Sequence, residues 1–85
     1  MRRSVNRAEL RRATGFAIRA LRKQAAISQE ALALGAGVNR GYMGRIERGE
    51  YSCTLWTIFK CLPFLNASFT DFARELDAAL ARKRR

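Results

Sequence analysis

Histidine is absent from this chain of 85 residues, and it holds only two cysteines and one proline. Histidine is the side chain that most often serves as a catalytic base near neutral pH and as a metal ligand. Cys53 and Cys61 are too few for a disulfide framework and lack the spacing of a zinc site. No serine or cysteine has an evident base beside it in the sequence. These gaps predict that the protein is not an enzyme and holds no metal or cofactor.

Long hydrophobic runs are missing as well. A membrane-spanning helix needs roughly 18 consecutive apolar residues, and no stretch of the chain approaches that length. The start, Met1 to Arg3, is basic, but no apolar segment of the kind found in signal peptides follows it. Two cysteines without a disulfide pattern suit a reducing compartment. These absences predict a cytoplasmic protein with no membrane partner.

Acidic residues are few. Seven of them face 17 lysines and arginines, which gives a net charge of +10. The excess lies at the two ends: residues 1–26 carry eight bases and one acid, residues 27–52 three of each, and residues 53–85 six bases and three acids. This excess favours a polyanionic partner, with binding that weakens as salt rises. Nucleic acid is the first candidate, while an anionic membrane surface, or solubility alone, would explain the same charge.

Helical periodicity is what the sequence has in abundance. Apolar residues recur at three- and four-residue steps behind capping residues, and they predict helices over residues 7–24, 29–34 and 39–48, then from Ser52 or Thr54 to about Leu62, and from Ser68 onwards. Pro63 is expected to kink or end the fourth helix, because it lacks a backbone N–H. The prediction is an all-α, compact five-helix domain.

The expected core draws on all five helices. It contains Ile18, Leu21, Leu32, Ala33, Val38, Met43, Ile46, Leu55, Ile58, Leu62, Phe69 and Phe72. Gly15 interrupts the first helix, where glycine costs roughly 1 kcal/mol relative to alanine. The stable domain is therefore expected at residues 13–81. Residues 1–12 would form a basic arm that is either mobile or part of the first helix, and residues 82–85 a basic tail.

Residues 28–48 have the sequence pattern of a helix-turn-helix. Ser28 caps a short helix, Gly37 lies in the turn, and a second helix follows Asn39. Apolar residues such as Leu32 and Ile46 would lock the two helices together. The leading end of the second helix would then project outward, where it can enter a major groove.

At this segment the chain resembles the phage repressor and Cro family of helix-turn-helix regulators. The resemblance extends over residues 15–76. It rests on ISQE at 27–30, RIERG at 45–49, SCTL at 52–55 and SFTDF at 68–72. It implies a five-helix DNA-binding domain whose third helix reads the major groove.

The resemblance also implies roles for individual residues. Gln29 matches a position that contacts the DNA backbone and supports base readout, and Asn39, Arg40, Gly41 and Arg45 match positions that face base edges or phosphates. Either arginine would bind a guanine through O6 and N7. The predicted DNA-binding set is Ser28, Gln29, Asn39, Arg40, Gly41, Tyr42 and Arg45, with Tyr42 as a phosphate contact. Asn39 has the alternative role of a plain N-cap, and Arg45 that of a solvated surface residue.

Two features of the recognition helix depart from the family. Gly41 and Gly44 lie inside it, where each lowers helix propensity by roughly 1 kcal/mol. Gly41 also offers no side chain to the bases. From the pairing of the matching positions in the family, Arg22 and Glu47 are expected to form an ion pair that clamps the first helix to the third.

The leading hypothesis is a sequence-specific transcriptional regulator that binds a palindromic operator in double-stranded DNA as a homodimer. The arm at residues 2–12 would follow phosphates or enter a minor groove, or bind only weakly, and the tail at 82–85 would aid binding nonspecifically. The first alternative is an antitoxin-type protein that binds a toxin or another regulator. Its partner surface would be Phe69 and Phe72, or Trp56 and Phe64, which are otherwise core or a homodimer interface. The second alternative is a nonspecific nucleic-acid binder.

Overall fold

The computed structural model describes residues 4–82, which form five α-helices and confirm the predicted all-α fold. In chain order they are α1 (Arg7–Gln24), α2 (Gln29–Ala36), α3 (Arg40–Glu47), α4 (Leu55–Leu65) and α5 (Phe69–Arg82). The Cα radius of gyration is 12.2 Å, and a compact domain of this length is expected near about 12 Å. Residues 1–3 of the predicted arm and 83–85 of the predicted tail lie outside the described residues.

Each helix begins where a polar side chain accepts a hydrogen bond from a backbone N–H three residues on. Four such caps are Asn6, Ser28, Asn39 and Thr54, with oxygen–nitrogen distances of 2.8–3.2 Å. The fifth is reciprocal: the Asp71 N–H donates to Ser68 Oγ at 3.1 Å, and the Ser68 N–H donates to the Asp71 carboxylate at 2.8 Å. Each cap satisfies a backbone donor that has no partner within its helix. Local sequence therefore fixes all five starting points.

The core lies between α1, α2, α3 and α4, and α5 packs along α1. The largest fully buried side chains are Ile18, Leu32, Met43, Ile46 and Cys61. Most of the predicted core residues are found there, and Phe72 is the buried residue of α5. Two are not, because 61% of Leu55 and 40% of Phe69 is exposed. Each is the first residue of its helix. Helical spacing places the first residue of a helix on its apolar face, but it does not show whether a neighbouring helix extends far enough to cover that residue.

Gly15 does not interrupt α1, which has the predicted bounds of residues 7–24, so residues 7–12 of the predicted arm belong to the first helix. The helix begins at Arg7 and runs unbroken past Gly15 to Gln24. A Cβ atom at Gly15 would lie 2.6 Å from the carbonyl oxygen of Glu47 and closer still to that of Ile46. Glycine is therefore required at this position, because α1 and the end of α3 meet there at backbone distance.

Two helices run further than the sequence predicts. α2 ends at Ala36 instead of Leu34, and α4 continues through Pro63 to Leu65 instead of ending near Leu62. Because Pro63 has no N–H, the carbonyl of Phe59, four residues earlier, has no donor within the helix. Both residues are exposed, so this carbonyl lies on the solvent side of α4. The extra turn of α4 buries Leu65 and closes at Asn66, which adopts a left-handed φ of 51°. Burial and this cap offset the unfavourable proline.

The two cysteines are free thiols, and Cys61 is buried while Cys53 is half-buried. Burial raises the pKa of Cys61 to about 11 and that of Cys53 to about 12. Both thiols are therefore protonated at neutral pH and act as small packing residues. Among residues 4–82, no three His, Cys, Asp or Glu side chains are grouped so that they could hold a metal ion. Within the same residues no helix has the length and hydropathy to cross a membrane.

Candidate nucleic-acid interface

The turn between α2 and α3 sets the angle at which α3 leaves the core. Gly37 adopts a left-handed φ of 72°, and the Val38 N–H then donates to the Ala33 carbonyl at 2.9 Å. Behind the turn, Met43 and Ile46 are fully buried against the rest of the core. α3 is thus held by its inner face, and its leading end is left at the surface.

That leading end is exposed and carries no acidic residue in its first turn. Asn39, Arg40 and Gly41 are all exposed. The unpaired N–H groups at a helix start carry a partial positive charge, and Arg40 adds a full one. Asn39 Oδ1 accepts the hydrogen bond of the Tyr42 N–H at 3.2 Å, so the side chain serves as an N-cap. This end of α3 is suited to a negatively charged or acceptor-rich partner.

A buried ion pair fixes α3 from behind. The Arg22 guanidinium donates from Nε to Glu47 Oε2 at 2.7 Å and from Nη2 to Oε1 at 3.0 Å, and Nη1 reaches the Ile27 carbonyl. The two side chains are only 15% and 4% exposed. Gln29 joins them, since its Nε2 donates to Glu47 Oε1 at 3.2 Å. The structure thus brings together Arg22, Gln29 and Glu47, on α1, α2 and α3, in one network that we call the clamp.

The two glycines inside α3 have different surroundings. A Cβ atom at Gly44 would meet Arg48 Nη1 at 3.2 Å and Gln29 Oε1 at 3.3 Å. Gly44 therefore makes room for the Gln29 side chain of the clamp and for the Arg48 side chain. A Cβ atom at Gly41 would meet only Asn39 Oδ1, at 3.0 Å, and otherwise open space. The lack of a side chain at Gly41 leaves the surface of α3 free for the close approach of another molecule.

Arg45 is exposed on α3, and its partner is a residue that the sequence analysis did not single out. Its Nη1 donates to Tyr51 Oη at 2.7 Å, and its Cζ lies 5.1 Å from the centre of the Tyr51 ring. The Tyr42 and Tyr51 rings are in turn 5.8 Å apart. Tyr51 lies in the loop after α3 and has no place in any helical pattern. Periodicity therefore gives no signal for it; a lone aromatic in a polar loop is the only hint.

Further basic groups border the end of α3. Arg11 Nε donates to the Gly49 carbonyl at 3.4 Å, which brings the first half of α1 beside this loop. Arg48 pairs with Glu50 at 2.8 Å, and this hydrogen bond lowers the pKa of Glu50. Glu50 therefore stays ionised and balances Arg48, so Arg40 and Arg45 carry the positive charge of the exposed α3 surface. Ser28 is exposed at the start of α2, and Tyr42 is half-buried.

A second exposed surface, which is apolar, lies on α4. We define the α4 surface as Leu55, Trp56, Phe59, Phe64 and the adjoining Phe69, all at least 40% exposed. Phe59 and Phe69 stack with ring centres 5.3 Å apart. Lys60 is the one charged residue of α4, and its Nζ lies 5.8 Å from the centre of the Trp56 ring. Trp56, Phe64 and Phe69 are thus surface residues, whereas Phe72 belongs to the core.

The chain is similar to known helix-turn-helix proteins. The family model described as a helix-turn-helix domain matches residues 13–76, and no curated protein sequence matches the chain. Among solved structures, the clp gene regulator ClgR from Corynebacterium glutamicum has a TM-score of 0.83 and 28% identity, covering 88% of this chain and 80% of that chain.

Two restriction-modification controller proteins are similar as well. C.AhdI from Aeromonas hydrophila has a TM-score of 0.68 and 32% identity, covering 73% of this chain and 94% of its own. C.Esp1396I, solved as a tetramer in complex with its natural 35 base-pair operator, has a TM-score of 0.76 and 25% identity, covering 85% of this chain and 95% of its own. The family-model match over residues 13–76 includes α2 and α3 with the exposed leading end described above.

Proposed function

Because this chain belongs to the helix-turn-helix family of DNA-binding transcription regulators, we propose that it is a sequence-specific regulator that binds a palindromic operator as a homodimer. The observation that carries the proposal is the leading end of α3, which is exposed and basic, while the clamp holds the other end of the helix at Glu47. A helix with its side chains is about 10–12 Å wide, and the major groove of B-DNA is about 12 Å wide. α3 therefore fits the groove with Arg40 and Gly41 foremost.

The roles proposed for the residues follow from their positions. Arg40 and Arg45 have free guanidinium donors at the surface of α3, and an arginine that donates two hydrogen bonds to guanine O6 and N7 distinguishes that base from the others. Ser28 and Gln29 at the start of α2 lie beside α3 and are proposed to contact phosphates. Tyr42 donates its one O–H to the Ser52 carbonyl at 3.4 Å, so its proposed phosphate contact would exchange that long hydrogen bond for one to the phosphate. Asn39 serves as the cap of α3, and its proposed DNA contact is secondary.

The α4 surface is proposed to join two copies of the chain. Its side chains expose roughly 500 Å² of apolar area, whereas a stable interface buries about 800 Å² from each partner. These residues would therefore form most of such an interface. The net charge is +10, so two copies repel wherever basic faces meet. Because α4 carries Lys60 alone, its face is where two copies approach with least repulsion.

A homodimer explains how so small a surface could select a DNA site. Two α3 helices related by a two-fold axis would enter successive major grooves about 34 Å apart. The similar protein C.Esp1396I binds its 35 base-pair operator as a tetramer, which supports the proposal that this chain also binds DNA as more than one copy. Binding at such a site would place the protein where it blocks or recruits RNA polymerase.

Selection of bound sequences from a random DNA pool, with the whole chain as bait, tests this proposal. We expect a two-fold symmetric consensus with half-sites about 10 base pairs apart, or a multiple of that. Arg40→Ala should relax the preference at one position in each half-site, with about 10- to 100-fold weaker binding to the consensus. Arg74→Ala is the matched control: it removes the same charge from an exposed position on α5.

Each contrary result has a definite meaning. A pool that shows no enriched sequence at moderate salt would overturn specific recognition and favour the nonspecific binder. Equal loss on every DNA for Arg40→Ala would make Arg40 a phosphate contact. A chain that stays monomeric at micromolar concentration, with and without its DNA, would overturn the homodimer. The α4 surface would then be left for a foreign protein, as in the antitoxin alternative.

A further inference from the structure

Tyr51, in the loop between α3 and α4, lies where it controls the direction of the Arg45 side chain. We propose that Tyr51 is a positioning residue for base readout: it holds Arg45 so that the Nε–Nη2 edge of the guanidinium meets O6 and N7 of a guanine. This inference rests on the DNA-binding function proposed above. It adds to that function a residue outside the helix-turn-helix and assigns it a specific role.

The contact between the two side chains has two parts. Arg45 Nη1 donates to Tyr51 Oη at 2.7 Å, and Arg45 Cζ lies 5.1 Å from the centre of the same ring. An exposed arginine otherwise loses much side-chain entropy when it binds. Since Tyr51 already orders Arg45 in the free protein, less of that entropy remains to be lost on the DNA.

Tyr51 is itself held in place. The centre of its ring lies 5.8 Å from that of Tyr42. Tyr42 also donates a hydrogen bond from Oη to the carbonyl of Ser52, the residue that follows Tyr51, at 3.4 Å. Gly49, with a φ of 76° and the backbone of Arg12 against it, fixes the direction in which the loop leaves α3. The loop is therefore anchored at both sides of Tyr51, and the phenol oxygen is a fixed acceptor.

The geometry of the guanidinium then decides which atoms remain for DNA. Arginine has five N–H donors in one plane. Tyr51 accepts one from Nη1, so the edge formed by Nε and Nη2 stays free, with two nearly parallel donors. Two parallel donors suit two adjacent acceptors, which in a major groove are O6 and N7 of guanine. Arg45 lies on the exposed surface of α3 beyond Arg40 and Gly41, so the base it meets lies in the groove that α3 enters.

The test uses the consensus DNA that the wild-type chain selects. Tyr51→Phe keeps the ring and its contact with Tyr42 but removes the acceptor for Arg45. We expect it to bind the consensus about fivefold more weakly, and Arg45→Ala to bind about 10- to 100-fold more weakly. The double variant should match Arg45→Ala alone, because the phenol acts through the arginine. Arg74→Ala should bind like the wild type.

Modified bases identify the partner of Arg45. Replacing the contacted guanine by 7-deazaguanine removes N7 and keeps O6, so on that DNA the difference in affinity between Tyr51→Phe and the wild type should become smaller. The proposal is overturned if Tyr51→Phe weakens binding equally in the Arg45→Ala background. It is also overturned if the sensitivity follows methylphosphonate substitution of one phosphate instead of 7-deazaguanine. A wild-type chain that selects no sequence would overturn both proposals; a selective wild type with an unaffected Tyr51→Phe variant overturns this one alone.

Discussion

At Gly15, α1 lies directly on the carbonyl groups that end α3. A substituent there would meet backbone atoms, and backbone atoms cannot turn aside as a flexible side chain does. Of these two residues at the end of α3, Ile46 lies in the core and Glu47 belongs to the clamp. A change at Gly15 therefore displaces the helix that is proposed to enter DNA.

We predict that Gly15→Ala lowers the free energy of unfolding by about 2 kcal/mol, within the range of about 1–3 kcal/mol for overpacking in a close-packed interior. In a domain of this size that corresponds to a melting temperature lower by about 8–16 °C. Thermal unfolding followed by circular dichroism measures it. Gly41→Ala is the control, since its Cβ would meet only the Asn39 side chain; because alanine has the higher helix propensity, its melting temperature should not fall. Equal melting temperatures for Gly15→Ala and the wild type would refute the close contact.

Glu47 is the second residue on which much of the fold depends. Its carboxylate is 4% exposed and accepts hydrogen bonds from Arg22 and Gln29. Removing one partner of a buried ion pair leaves the other charge without compensation. We predict that Glu47→Gln lowers the free energy of unfolding by about 3 kcal/mol, measured by urea denaturation. Glu50→Gln, which breaks the exposed pair with Arg48, should unfold at the wild-type urea concentration. Similar losses for the two variants would show that burial of the clamp does not matter.

At the scale of helices, α5 packs mainly along α1 and buries one residue, Phe72. Its first turn is closed by the reciprocal cap between Ser68 and Asp71. Hydrogen bonds from Ser68, through the backbone N–H above all, lower the pKa of Asp71 below its ordinary value of 3.8. A carboxylate whose pKa is lowered by folding stabilises the fold above its ordinary pKa and loses that effect as the pH falls through the folded value.

We therefore predict that Asp71→Asn is less stable than the wild type at neutral pH and that the difference shrinks as the pH falls below about 4. Urea unfolding of both proteins from pH 7 to pH 3 measures the difference. Asp77→Asn, at an exposed position on the same helix, is the matched control. Its free energy of unfolding should change with pH in the same way as that of the wild type. A difference between Asp71→Asn and the wild type that is constant with pH would show that ionisation of Asp71 has no part in the cap.

Helix starts were predictable because each depends on residues within three positions. Asn39 and Ser68 show this directly, since the cap and its N–H donor lie in the same short stretch of sequence. What escaped prediction is set by contacts far apart in the chain. The backbone contact of Gly15 joins α1 to α3, the Phe69 ring stacks on Phe59 of α4 and stays 40% exposed, and Tyr51 gains its place by packing on Tyr42. Sequence periodicity carries no information about such distances.

For the molecule as a whole, the α4 surface opens a direct measurement of assembly. Trp56 is the only tryptophan and is 71% exposed, so its fluorescence reports whether the α4 surface is covered. On the proposed homodimer, emission should shift to shorter wavelength as the protein concentration rises through the micromolar range.

We predict that Phe59→Ala abolishes this shift and weakens self-association by about 30-fold, the loss typical of a central aromatic residue in an interface. Sedimentation equilibrium gives the association constant. Phe16→Ala removes a similarly exposed ring, 43% against 47%, from α1, and should leave both measurements unchanged. A dimer that survives Phe59→Ala with Trp56 still solvated would place the interface elsewhere.

The division of α3 into two faces has a consequence for how such a chain changes over generations. Met43 and Ile46 hold the helix in the core, while Arg40 and Gly41 are exposed and outside the clamp. Mutations on the outer face therefore alter what is recognised at little expense to folding. Duplicated copies of the chain can therefore diverge towards different targets while keeping the same fold and a similar stability.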